Sequence, residues 1–331
     1  MMKRLLRQHW FILGYLVVLA VAMTWPDLGR DGGFLHLDKL TQKLCIAGVF
    51  LCAGLSLPGA RLGQAIRAWK PHLAIQCVTF VIAPALACGI VWIAQPLGLP
   101  PAAAIGIIVL GCLPTTIGSC VAVTGQSDGN EAITLINSVL SNLIGVVLTP
   151  LLILLCIGRE GTTPVMDVIQ LLIVIAVLPA VLGQILRLRW AAALDANKFR
   201  ISITSGCLLL VVVLTIFSDI AHRGLGSGIT PVAIAVCMLH LLLWLSIWLI
   251  APLASRERGD RVAMMITANQ KTAALGIPLI GTMFAADPML SLMTLPIALY
   301  HVLQMLTGAL LTGVFRAWVA KAAPLPPPPA R

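Results

Sequence analysis

The chain has 331 residues, 59% of them apolar and only 10% charged, with a net charge of +10. A soluble domain is about 45–50% apolar and about 25% charged, so the composition excludes a soluble enzyme, a disordered chain and a nucleic-acid binder. On a polytopic membrane protein the basic excess belongs in cytoplasmic loops.

A membrane span needs about 20 predominantly apolar residues. Ten apolar runs follow one another, at about 10–25, 41–57, 71–94, 101–124, 131–157, 166–186, 200–221, 230–253, 262–285 and 289–317. The basic stretch Met1–Arg7 enters the first run without a cleavage-site pattern, so that run reads as a membrane helix and not a leader. Turn signals separate the runs: Gly32-Gly33, Pro58-Gly59, Pro100-Pro101, Asp128-Gly129, Gly161, Gly224 to Gly228, Gly259 and Asp287-Pro288. The prolines at 324–329 cannot be helical, and 321–331 reads as a short cytoplasmic tail.

Loop charge tests this plan. Counted from an inside N-terminus, sixteen of the 22 basic residues fall on one side, among them Arg4, Arg61, Arg67, Arg187, Arg258 and Arg316. Five fall on the other: Arg30, Lys39, Lys43, Arg159 and Arg223. That bias predicts ten spans with both termini cytoplasmic. The nine cysteines all lie inside apolar runs without metal-ligand spacing, and read as small buried hydrophobes.

One basic residue is left over. Lys271 sits in the middle of the ninth run, where a lysine costs about 2.5–3.5 kcal/mol on insertion scales. It is either a structural lysine tying broken helix ends together or part of a transport site, as cation substitute, proton carrier or substrate contact.

Ten spans divide into residues 1–157 and 158–320. Five spans per half forces the halves into opposite orientations, the inverted-repeat plan of many secondary transporters, whose site lies where two discontinuous helices cross. The fourth span of each half is interrupted. One reads Gly111-Cys-Leu-Pro114-Thr115-Thr116-Ile-Gly118-Ser119-Cys120, the other Thr267-Ala-Asn269-Gln270-Lys271-Thr272-Ala-Ala-Leu-Gly276-Ile-Pro278. Pro114 removes a backbone donor and Gly118 weakens the helix further. In hydrocarbon such backbone survives only inside protein or beside a wet cavity, where half-helix ends become ion or anion sites. The fifth span adds Thr134, Asn137, Ser138, Ser141 and Asn142 on one helical face, read either as helix glue or as a site lining.

These residues carry a resemblance. Gly111–Pro150 and the span-nine string are similar to the bile acid:sodium symporter superfamily, in its SBF-like bacterial branch. The resemblance implies an all-α membrane protein of ten helices as two inverted five-helix repeats with helices 4 and 9 crossing. It implies a core domain, here the helices within 71–157 and 230–317, and a panel domain, the helices within 10–57 and 166–221. Substrate would bind between them, and rocking would give alternating access. Of the family's sodium ligands, the hydroxyls match Ser119, Thr134 and Ser138, and the helix-nine glutamine matches Gln270. Cys120 replaces an asparagine, Ile266 stands at the acidic position, and Lys271 stands where other branches carry asparagine. Loss of the acid weakens a cation site, and an ammonium beside it repels the ion at low dielectric. Lys271 would then take the cation's place, with transport uncoupled or coupled to its deprotonation. A sodium site among Thr115, Thr116, Asn137 and Gln270 stays open.

His240 and His301 are each a candidate proton relay or a neutral core histidine. Gln76, Thr79 and Gln304 are candidate lining residues. Trp10, Trp25, Trp244 and Trp248 read as interfacial or packing aromatics.

The expectation is a secondary transporter of a small or amphipathic organic anion. Sodium or a proton would be the coupling ion, and no other cofactor is implied. The bilayer and the substrate are its partners, and it would be a monomer or homodimer. No enzyme motif such as H-E-x-x-H or a nucleophile elbow is present, and no P-loop for an ATP-driven pump. The alternative is a regulatory membrane protein that keeps the fold without transporting.

Overall fold

The computed structural model describes residues 2–30, 32–56, 69–158, 164–223, 229–284, 287 and 289–321. The turn signals at Pro58-Gly59, Gly161 and Gly224 to Gly228, the basic residues Arg61, Arg67 and Arg159, and the proline-rich tail lie outside the described residues.

Among the described residues all regular structure is helical. Helix α1 is Met2–Thr24 and α2 is Lys39–Ser56. Helix α3, Trp69–Ala94, contains a π turn at Val78–Ile82. Helices α4, Pro101–Cys112, and α5, Gly118–Gln126, are two short pieces; α6 is Glu131–Ile157. Helix α7 runs as Val165–Leu172, a π turn at Ile173–Val177, and Leu178–Ala196. Then follow α8, Lys198–Arg223, and α9, Ile229–Ala254. Two further short pieces are α10, Arg258–Asn269, and α11, Ala273–Met283; α12 is Leu290–Ala320.

Local chemistry explains several boundaries. Pro101 opens α4, where its missing N–H costs nothing. Asn130 caps α6 by accepting from the backbone N–H of Ala132 and Ile133, and Gly158 ends it in the left-handed region at φ +72°. Every apolar run read from the sequence coincides with one helix or, in two cases, with a broken pair. Among the described residues, six helices are long and apolar enough to cross a membrane. Exposed apolar side chains such as Trp92, Leu155, Leu253 and Leu310 cover their outer faces.

Two boundaries differ from expectation. Gly259 lies in the first turn of α10, not in a turn. Helix α7 does not stop with its apolar run near 186 but continues to Ala196 through a non-helical Trp190 (φ −121°, ψ 26°). Arg187 is therefore a helical residue, not a loop residue. Leu, Arg and Ala are strong helix formers, so the helix outlives its apolar run.

The helices pack in two sets. Helix α2 lies against α7 and α8, and α1 against α8. In the other set, α4 sits between α3 and α12, while α9 packs on α3, α10 and α12. Small residues allow the closest approaches. A methyl group at Gly54 on α2 would meet the Ala180 carbonyl of α7, and one at Gly106 on α4 the Met293 carbonyl of α12.

Candidate functional site

The two interruptions lie side by side. One is the stretch 113–117 between α4 and α5, the other 270–272 between α10 and α11. Thr272 N–H donates to Pro114 O at 3.0 Å, joining them through main chain. Side chains of α6 hold the first interruption from behind. Asn142 Nδ2 donates to Thr115 O at 2.8 Å, Ser141 Oγ accepts from Thr115 N–H at 3.2 Å, and Thr149 Oγ1 donates to Cys112 O at 3.0 Å. Side chains of α12 hold the second. Gln304 accepts from Lys271 N–H at 2.7 Å and donates to Lys271 O at 3.0 Å, and Tyr300 OH donates to Asn269 O at 2.5 Å. Asn269 reaches α9, donating to His240 O at 3.1 Å. Backbone groups that a continuous helix would pair internally are thus satisfied by buried side chains.

Lys271 is 1% exposed. Its Nζ donates to Thr79 O at 3.0 Å, Gly111 O at 3.0 Å and Leu113 O at 2.9 Å. Each acceptor has a structural reason to be available. Gly111 and Leu113 lie at the C-terminal end of α4, whose last carbonyls lack helical partners and carry its negative dipole end. Thr79 lies in the π turn of α3, where the hydrogen-bond ladder is displaced. An ammonium has three protons, and all three are placed on carbonyls.

Gln270 forms a second cluster. Its Oε1 accepts from Thr116 Oγ1 at 2.6 Å, Ser119 Oγ at 2.8 Å and Cys120 Sγ at 3.3 Å. The third cluster is a hydroxyl chain, with Thr267 Oγ1 donating to Thr134 Oγ1 at 3.1 Å and Thr124 Oγ1 lying 3.0 Å from Thr134 Oγ1. Ser138 is fully buried, on the same face as Thr134. Asn137 faces α3 instead, 2.7 Å from His72 Nδ1, and accepts from Gln76 Nε2 at 3.2 Å. His240 Nε2 accepts from Trp244 Nε1 at 3.1 Å and lies 3.0 Å from Thr307 Oγ1. His301 Nδ1 is 2.9 Å from Gln304 Nε2, and its ring packs against Tyr15 of α1 with centroids 5.2 Å apart.

A cleft of about 240 Å³ opens beside the first interruption. Phe50, Ala53 and Gly54 of α2, Ala180, Gln184 and Leu188 of α7, and Val139, Asn142 and Val146 of α6 line it, with Ile117 from the interruption itself. Its wall is apolar apart from Asn142 and Gln184, and Asn142 is the residue that holds Thr115 O. None of the individual α2 and α7 lining residues stands out in the sequence, because small and apolar residues there look like ordinary packing.

Comparison with known proteins agrees with this architecture. The model of the SBF-like CPA transporter family matches residues 9–317. The chain belongs to that family. Among curated proteins the chain is similar to sodium/bile acid cotransporter 7-B of Xenopus laevis, 30% identical over 324 residues covering 95% of this chain and 93% of the relative. Sodium/bile acid cotransporter 7 of Rattus norvegicus is 28% identical over 319 residues, covering 95% and 94%. The protein of that name from Danio rerio is 28% identical over 323 residues, covering 95% of both. The chain is therefore a membrane protein of a transporter family, as its residues indicated.

Proposed function

We propose that the protein is a secondary active transporter moving a small or amphipathic organic anion by alternating access, with Lys271 standing in for a bound cation at the crossing of two broken helices. The observation that carries this is the Lys271 ammonium on three main-chain carbonyls, a coordination like that of a metal cation on helix ends and unwound backbone. In this reading the ten spans form two inverted repeats, 1–157 and 158–320. The helices of 71–157 and 230–317 form the core, those of 10–57 and 166–221 the panel, and both termini face the cytoplasm of a bacterial inner membrane. The packing of α1, α2, α7 and α8 against one another supports the grouping. The cleft between α2, α7 and α6 would receive the substrate. Its apolar wall suits an amphipathic acid such as the bile acids in the relatives' names.

Sodium fits these residues poorly. Ile266 is buried and apolar at the acidic position, Gln270 Oε1 already accepts three donors, and Lys271 brings a positive charge to the same break. A sodium ion takes oxygen ligands and gains from a carboxylate, and a neighbouring ammonium opposes it. Ser119, Thr116 and Gln270 would instead bind helix α5 to the second interruption. Thr134 and Thr267 would bind α6 to α10, Ser138 would extend the same buried face, and Pro114, Thr115, Asn269 and Thr272 would shape the crossing.

Uptake of radiolabelled cholate into proteoliposomes, with sodium and pH gradients imposed separately, tests the reading. Flux that ignores sodium, and is lost in Lys271→Ala, is expected. Sodium-driven flux in the wild type would overturn the role given to Lys271. Absence of flux for cholate and for shorter carboxylates would overturn the transport reading.

A further inference from the structure

An apolar cleft that accepts an anion needs a cationic partner, and Lys271 does not supply it, because its three protons are already placed on carbonyls. Among the lysines and arginines whose side-chain exposure is described, only Lys271 and Arg187 are buried. Arg187 stands on α7 at the edge of the cleft: it is not itself among the lining residues, but Gln184, three before it, and Leu188, one after it, are. Its Nη1 donates to Leu55 O at 2.7 Å, at the end of α2, next to the Gly54 carbonyl that receives Gln184 Nε2. Its Nη2 donates to Asp195 Oδ1 at 2.5 Å.

The two partners differ in kind. Leu55 O is fixed main chain at a helix end, so one edge of the guanidinium is anchored. Asp195 has a side chain 61% exposed, on the segment beyond the break at Trp190. In a straight helix, residues eight apart are separated by about 12 Å along the axis, and the bend at Trp190 brings them together. The water-exposed carboxylate of Asp195 makes a weak, single-pronged partner, whereas a planar guanidinium binds carboxylate in a two-pronged geometry that a buried setting strengthens.

We propose that Arg187 is the anion-recognition residue of the cleft, and that Asp195 holds its free edge until the carboxylate or sulfonate of an amphipathic substrate displaces it. This rests on the transport reading above. Leu55 would keep the guanidinium aimed while the outer carboxylate swings away about Trp190. Asp195 is then an internal competitor, and its removal should strengthen binding. A merely structural Asp195 would leave binding unchanged or weaken it.

Equilibrium binding to purified protein in detergent separates these outcomes. The probes are cholate, taurocholate and 5β-cholan-24-ol, so that a carboxylate, a sulfonate and a neutral head are compared on one steroid body. Asp195→Asn is expected to tighten cholate by about fivefold, the worth of a weak competing ion pair, and to leave the alcohol unchanged. Arg187→Lys is expected to weaken cholate while sparing the alcohol, and to weaken taurocholate less, since a sulfonate depends less on a planar fork. Unchanged or weaker cholate binding in Asp195→Asn would overturn the proposal even with transport intact. Equal tightening of the alcohol would show that only the cleft's shape had changed, and would overturn it too. No binding of either anion to the wild type would overturn the assigned ligand class. Proteoliposome flux of other carboxylates would show separately whether the transport reading survives.

Discussion

Thr272 gives its backbone N–H to the carbonyl of Pro114 at 3.0 Å, so the two interrupted helices are linked by main chain. No substitution other than proline at 272 removes that bond directly. It can be weakened through Asn142, which holds the neighbouring Thr115 carbonyl from α6. Asn142→Leu strands this buried carbonyl and should cost about 1–3 kcal/mol, read as a lower unfolding midpoint in detergent.

Lys271→Asn leaves Thr79 O, Gly111 O and Leu113 O facing a vacated cation position. Sodium should then stabilise the variant and not the wild type. At a concentration tenfold above its dissociation constant, an ion binding only the folded state adds about 1.4 kcal/mol. Thermal unfolding in sodium against choline buffers checks this. Equal sodium response in both proteins would contradict it.

Filling the cleft should separate transport from folding. Ala53→Trp places a large side chain between α2, α6 and α7 while replacing none of the residues that hydrogen-bond either interruption. Flux should be lost while the unfolding midpoint is retained.

Gly54→Ala should act the other way. Its methyl group would meet the Ala180 carbonyl, forcing α2 away from α7. Overpacking of this kind costs about 1–3 kcal/mol, and a lowered midpoint with reduced flux is expected.

Asp38 sets a small acid-dependent contribution. The Thr41 hydroxyl and then its backbone N–H hydrogen-bond the carboxylate and hold its pKa below the usual range. The stabilisation is fully present above the ordinary carboxylate pKa of the unfolded chain. It fades as pH falls through the lowered native value. Asp38→Asn should flatten the acid side of the stability profile, measured as unfolding midpoint against pH.

The breaks in the fourth and ninth apolar runs were legible because Pro114 and an uncompensated Lys271 are costly inside a membrane. The partners of Lys271 were not, since Thr79, Gly111 and Leu113 contribute backbone oxygens and any residue type has those. The polar stripe of α6 was visible as a stripe, yet its members divide. Ser141 and Asn142 hold the first interruption, while Asn137 turns to His72 and Gln76 on α3. A 3.6-residue period tells which residues share a face, not which neighbour lies opposite. Arg187 was hidden for a different reason. It follows an apolar run directly, so its charge looked like a loop signal, and only the continuing helix with its bend at Trp190 shows the buried guanidinium.

The π turn at Val78–Ile82 has a consequence for which changes α3 can accept. Such a turn holds one residue more than a regular helix needs. Deleting any one of those five would restore an even ladder and swing Ala83–Ala94 by about 100° relative to Trp69–Cys77. Ala87, which packs at Gly111, would turn away from α4, and Thr79 O would lose its place before Lys271. Conservative replacements in this stretch keep the geometry and a deletion does not. Here the length of the chain is constrained more tightly than its chemistry.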